Sequence, residues 1–182
     1  MERFFCFGSK PVCSRFSDYF CEKSITLEHS RLVTAFRNEG VLHLKEGNGK
    51  VLTLLRPDLW NPELGEDWVY LLFDLFQIRT ICEAFSEVSL DIVEFGSKPT
   101  IYHSDPNRII ADGPRVNGNL KFSLIREPNW NKLLFQISQP VLVKMDTKEK
   151  TDFQTSLVFP LLSPATKELY LGPEGEVKII KR

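Results

Sequence analysis

Residues 122–147 read FSLIREPNWNKLLFQISQPVLVKMDT, and this stretch decides the fold class. Leu120, Phe122 and Leu124 alternate as on one face of a strand. Pro128 suits a first helical position, and Trp130, Leu133, Leu134 and Ile137 recur at the spacing of a helical stripe. Pro140 then opens PVLVKM, a buried strand, which stops at the polar run Lys144, Met145, Asp146 and Thr147. Strand, short helix and strand with little linker is a βαβ unit, whose right-handed crossover predicts parallel strands. Ligand crevices of open α/β sheets lie beyond the carboxyl ends of strands. The loop from Lys144 to Thr147 is therefore the first candidate for a binding site.

Outward from this unit, the same reading gives a mixed set of strands and helices. Downstream, QTSLVFPLLSPATKELYLGPEGEVKIIKR predicts a strand, a loop at Ser163-Pro164 and a closing pair of strands around Pro173 to Gly175. Upstream, KPTIYHS is a strand, followed by a long loop punctuated by Asp105-Pro106, Asp112-Gly113 and Asn117-Gly118. DWVYLLFDLFQIRTICEAF predicts a buried strand, an N-cap at Asp74 and a helix carrying Leu75, Ile78, Cys82 and Phe85 on one stripe. SEVSLDIVEFG predicts a shorter helix closed by Gly96. Asn48-Gly49 is the strongest hairpin signal, between two apolar runs, and Arg56-Pro57 ends the second of them. Before it, TLEHSRLVTAFRNEG predicts a helix with Thr26 as N-cap, Leu32, Val33 and Phe36 as its core face and Gly40 just past its end. Residues 1–24 are aromatic-rich without helical period and predict an arm packed on a single domain that spans 1–182.

Composition limits the function classes. At 182 residues, 42% hydrophobic and 26% charged, the chain is long enough to bury one core and has globular proportions. A formal charge of −1 excludes a broad attraction to nucleic acid or anionic membrane, though not a local basic groove. Neither a signal-peptide h-region nor a run of membrane-spanning length is present, so the expectation is a soluble, cytoplasmic protein with reduced thiols. Cys6, Cys13, Cys21 and Cys82 form no CxxC pair. Cys13, Cys21 and His29 are the one conceivable zinc cluster, but their spacing favours buried or free thiols, and no metal or cofactor is expected.

The order of elements from residue 66 to 182 resembles the YrdC family, the threonylcarbamoyl-adenylate synthases of tRNA modification. WVYLLFDLFQIRTICEAFSEVSLDIVEFGSKPTIYHSD, IIADG, LKFSLIREPNWNKLLFQISQPVLV and LYLGPEGEVKIIKR resemble successive segments of that family. The resemblance implies an α/β fold with a twisted mixed sheet flanked by helices, and a crevice for a nucleotide, ATP among them, or for RNA. Arg126 corresponds to the family's strand arginine. Other positions depart from the family. Its proline-threonine-aspartate-threonine loop, which holds threonine, is replaced by Val41-Leu42-His43 running into Leu44-Lys45-Glu46-Gly47. Its lysine-x-arginine phosphate grip leaves only Arg56. Its serine- and asparagine-containing loop becomes Lys144-Met145-Asp146-Thr147, and its proline-serine-threonine becomes Pro164-Ala165-Thr166. The resemblance thus implies ligand-binding residues Arg126, Lys144, Thr147, Thr166 and Arg56, without an assigned catalytic residue, in a pseudoenzyme that has lost the synthase chemistry.

Each candidate has a plainer reading. Arg126 at a strand end suits a phosphate or carboxylate, or an ion pair with a neighbouring acid. Asp146 opposes a phosphate beside Lys144 and Thr147, and an ordinary solvated turn fits the same residues. His43, between Leu42 and Leu44, more often satisfies a local hydrogen bond than performs catalysis. His103, Ser104 and Asp105 are adjacent on a strand, point to alternate faces and cannot form a triad. A different function class rests on Phe4, Phe5, Phe7, Phe16 and Phe20. With the Asn48-Gly49 hairpin they would form a protein-interaction module, or with Arg3, Lys10 and Arg15 a stacking surface for RNA. Burial against the domain is the favoured reading.

Overall fold

A computed structural model describes residues 14–108, 110 and 113–181, with side chains from Leu27 onward. The chain runs α1 (Ser14–Glu39), β1 (Val41–Glu46), β2 (Val51–Leu55), β3 (Val69–Leu72), α2 (Ile78–Ile81), α3 (Glu87–Glu94), β4 (Thr100–Ser104), β5 (Leu120–Leu124), α4 (Pro128–Ile137), β6 (Val141–Met145), β7 (Phe153–Thr155), β8 (Lys167–Leu171) and β9 (Val177–Lys181). All nine strands join one mixed sheet in the order β7-β1-β2-β6-β3-β5-β4-β8-β9. This is the twisted α/β architecture expected from the sequence.

Local signals account for most boundaries. Gly40 ends α1 with φ of +73°, and its amide donates to the Phe36 carbonyl, the role of a C′ glycine. β1 and β2 pair antiparallel around the Asn48-Gly49 turn. Asp74 caps a 3-10 turn by accepting from the Gln77 amide, and Ser86 caps α3 by accepting from the Ser89 amide. Glu127 caps α4 by accepting from the Asn129 and Trp130 amides, and Pro128 occupies the first helical position.

Three expectations need correction. First, α1 begins at Ser14, so Thr26 lies inside the helix rather than at its N-cap, and residues 14–24 are helical although their apolar residues show no helical period. Residues 1–13 lie outside the described residues, as do the side chains of Phe16 and Phe20. Second, α2 stops at Ile81, short of Phe85. Cys82 is extended and bridges to Pro106, and the Glu83 amide donates to the Asp105 carbonyl. These contacts replace the helical bonds that a longer α2 would make.

Third, β5 and β6 are not a parallel pair. Both flank β3, β5 parallel to it and β6 antiparallel. β6 therefore starts at the end of the sheet where β5 finishes. The 10 residues of α4 span about 15 Å, and the distance from β5 past β3 to β6 is about 10 Å. Because β6 starts at that end, the chain has no strand length to retrace. The helix moves it sideways instead, and the carboxyl ends of β5 and β6 lie at opposite ends of the sheet.

The sheet has a core on each face. Leu32, Val33 and Phe36 of α1 and Trp130, Leu133, Leu134 and Ile137 of α4 pack with Leu42, Leu44, Leu52, Leu54, Val69, Leu71, Val141 and Val143. Ile78 and Ile81 of α2 and Val93 of α3 pack with Leu55, Tyr70, Leu72, Phe122 and Leu142 on the opposite face. This second cluster reaches Leu55 of β2 and Leu142 of β6. The same face carries His43 of β1, Thr53 of β2 and Lys144 of β6. Among the described residues, no helix is long and apolar enough to cross a membrane.

Candidate functional site

His43, Thr53 and Lys144 are direct cross-strand partners on β1, β2 and β6, so they form one rung on a single face. That face carries a crevice of about 460 Å3 lined by Val41, His43, Thr53, Leu55, Leu64, Trp68, Lys144, Thr147, Lys148 and Glu149. No residue of α1 to α4 contributes to this lining. Apolar side chains and an indole form the walls, and the polar groups converge on the floor.

The floor is hydrogen-bonded in series. His43 Nδ1 lies 3.0 Å from Thr53 Oγ1, and Thr53 Oγ1 lies 3.1 Å from Thr147 Oγ1. The local hydrogen bond expected of His43 is therefore present. Thr147 reaches this chain because Asp146 takes φ of +53° and the Thr147 amide donates to the Val51 carbonyl at 3.2 Å. The polar stop after β6 is thus a tight turn that folds the Thr147 hydroxyl back over β2. Lys144 Nζ donates to the Leu64 carbonyl at 2.9 Å and lies 5.6 Å from the centre of the Trp68 ring. Two ammonium groups, Lys144 and Lys148, face one carboxylate, Glu149. Such a set, with two hydroxyls and an imidazole, suits an anion more than a cation. Lysine and hydroxyl donors on an apolar wall are the chemistry of a phosphate ester carrying a ring.

The five ligand-binding candidates do not share this crevice. Lys144 and Thr147 meet there. Arg126 stands at the opposite end of the sheet, where its guanidinium donates to the carbonyls of Val93, at 2.7 Å, and Glu94. It caps the carboxyl end of α3, where a cation complements the helix dipole, rather than pairing with an acid. It also borders a separate cavity of about 240 Å3 with Lys98, Tyr102 and Ser123. Arg56 pairs with Asp58 at 2.6 Å and lines a third cavity, of about 890 Å3, with Trp60 and Tyr70. Burial pushes the Tyr70 phenol up to about 12, against the opposing pull of Arg115. Thr166 is buried and donates to the Leu161 carbonyl at 2.9 Å, which consumes its hydroxyl locally. The dispersal follows from the direction of β6, since a parallel β6 would have put Lys144 and Arg126 at the same end.

Thr53, Trp68 and Lys148 are crevice residues that the sequence did not single out. Thr53 carried one signal, as the only polar side chain inside VLTLL. His103 lies 3.2 Å from Glu168, on the sheet and away from Ser104, so no triad forms. Among the described residues, no group of three His, Cys, Asp or Glu is placed to hold a metal ion. Cys13 and the side chain of Cys21 lie outside the described residues. Cys82 is a buried free thiol, and burial pushes its ionisation upward.

No family model matches the sequence, and a search of curated proteins finds none similar to it. Solved structures do match. The chain is similar to E. coli YciO, with a TM-score of 0.64 and 10% identity over 85% of this chain and 88% of that one. It is also similar to full-length HypF, solved in its phosphate- and nucleotide-bound form, with a TM-score of 0.56 and 13% identity. That match covers 85% of this chain but 29% of HypF. Identities this low bear on architecture alone, and on that ground the chain has a YrdC-like fold.

Proposed function

We propose that this chain is a divergent YrdC-like protein of the cytoplasm that binds a nucleotide in the crevice over β1, β2 and β6, without threonylcarbamoyl-adenylate synthase activity. The observation that carries the reading is the rung His43, Thr53 and Lys144, extended by Thr147. Lys144 and Lys148 supply charge to the phosphates, and the Thr53 and Thr147 hydroxyls supply hydrogen bonds. Val41, Leu55 and Leu64 supply apolar wall for the ring. The reading agrees with the fold likeness to HypF, which was solved in a phosphate- and nucleotide-bound form. The loss of synthase chemistry rests on the residues present. β1 continues through His43 and Leu44 without a threonine-holding loop, and Arg56 is engaged by Asp58 rather than joined by a lysine two positions before it.

Thermal denaturation with millimolar ATP, AMP or orthophosphate tests the reading. A ligand at a hundred times its Kd stabilises the fold by about 2.7 kcal/mol, a rise in Tm of about 5–10 °C for a chain of this size. Lys144→Ala and Thr147→Val each remove a hydrogen bond to a charged group, and each is expected to weaken binding by about 10- to 100-fold. Absence of any nucleotide-dependent shift in the parent protein overturns the reading. A shift produced only by single-stranded RNA reassigns the crevice to RNA. Pyrophosphate release from ATP, threonine and bicarbonate would show that synthase chemistry survives.

A further inference from the structure

The cavity of about 240 Å3 at Arg126 lies at the end of the sheet away from the Lys144 crevice. Val93 of α3, Leu124 and Ile125 at the end of β5, and Leu161 give it apolar walls. Tyr102 and Ser123, only 4% and 1% exposed, bring hydroxyls to it from the adjacent strands β4 and β5. An apolar cavity of about 150 Å3 is enough for benzene, so this one has room for a single ring and a polar group.

Hydrogen bonds fix the rim. Ser123 donates to the Thr100 carbonyl at 2.8 Å, and the Thr100 hydroxyl donates to the Lys98 carbonyl at 3.0 Å. These two bonds hold the backbone that carries Lys98 at the cavity. Gly96 completes the wall, since a Cβ there would lie 2.9 Å from the Tyr102 hydroxyl. A side chain at that position would press on the phenol. Burial raises the Tyr102 phenol above its ordinary value, against the pull of Thr100 and Arg126, so it is protonated near neutral pH.

Charge selects the ligand. Two negative features border this cavity, and both are already engaged. The last carbonyls of α3 accept from Nη2 of Arg126. The Glu127 carboxylate accepts from the Asn129 and Trp130 amides and from Asn129 Nδ2. Arg126 keeps the N–H groups of Nε and Nη1 beyond those bonds, and among the described residues neither Arg126 nor Lys98 has an ion-pair partner. We propose that this cavity binds a small organic carboxylate, with the charged group at the rim between Lys98 and Arg126 and the carbon skeleton against Val93, Leu124 and Leu161. A dianion fits less well, because Glu127 and the carbonyl end of α3 stand beside the same rim. Arg126 and Lys144 lie at opposite ends of the sheet, so occupancy here leaves the nucleotide crevice open.

Two-dimensional NMR of the full chain titrated with sodium benzoate tests the proposal, with sodium chloride at matched concentration as the blank. The expected result is saturable millimolar binding, the strength that a ligand of this size reaches, with shifts at the amides of residues 96–98 and 126. Benzamide has the same shape without the charge and is expected to bind at least about tenfold more weakly. Lys98→Glu is expected to weaken benzoate binding by about tenfold or more, and Lys98→Arg to retain it. Lys98 is exposed, so both variants are expected to fold, which far-UV circular dichroism checks. Saturating AMP is expected to leave the benzoate shifts in place, and nucleotide binding, measured separately, is expected to be unchanged in both variants. Absence of saturable shifts at these amides overturns the proposal. Equal binding of benzamide, tighter binding of phenyl phosphate, or parent-like binding by Lys98→Glu overturns it too.

Discussion

Gly40 joins α1 to β1 with φ of +73°, and a Cβ built there collides with Leu59 Cδ1. Both facts oppose any side chain, since left-handed backbone costs a non-glycine residue about 1–3 kcal/mol. Gly40→Ala is expected to lower unfolding free energy by about that amount in urea titration. Gly47→Ala is the control, because nothing lies within 4 Å of its added Cβ, and it is expected to change little. Loss of stability in both alike would mean that the turn chemistry at Gly40 is not the cause. Gly40 was legible because a helix-ending glycine is signalled by its neighbours in sequence. The rung of His43, Thr53 and Lys144 was not. Thr53 and Lys144 meet only through the pairing of β2 with β6, and nothing within five residues of either encodes that register.

Elements were legible where a local pattern fixes them and illegible where direction matters. The stripe on α4 is buried as its spacing predicts, with Trp130, Leu133 and Leu134 at 0% exposure and Ile137 at 3%. Yet strand, helix and strand carry no record of whether the second strand runs with or against the first. The pairing of both strands with β3 decides that, and here the chain steps sideways past it. One side chain fastens the step. Asn131 Nδ2 donates to the carbonyls of Phe73 and Ile125, each at 2.8 Å, just beyond the carboxyl ends of β3 and β5. Asn131→Ala strips a donor from two part-buried carbonyls and is expected to cost about 1–3 kcal/mol. In urea this lowers the midpoint without changing the slope. A midpoint equal to the parent's would mean that α4 is held by its apolar stripe alone.

At the scale of the whole molecule, two histidines couple the fold to pH. His29 of α1 is fully buried, and among the described residues neither ring nitrogen has a hydrogen-bond partner. Burial, and then the nearby Lys132, lower its proton affinity below the usual 6.5, while Glu28 and Glu127 oppose them in part. His103 is also lowered, first by burial and also by Lys121, against the hydrogen bond that its ring donates to the Glu168 carboxylate. A base whose folded pKa is depressed binds protons more readily when the chain is unfolded. Above about pH 6.5 both residues are neutral in either state and the full stability is present. As pH falls below 6.5 the unfolded chain takes up protons that the folded chain resists, and stability declines. Carboxylates titrate mainly below about pH 5, so between pH 6.5 and 5 the histidines dominate the slope. His29→Gln is expected to flatten that slope more than His103→Gln, because Glu168 already offsets part of the penalty at His103. Urea midpoints across that window provide the measurement. A slope that both variants leave unchanged would place the acid sensitivity elsewhere in the molecule.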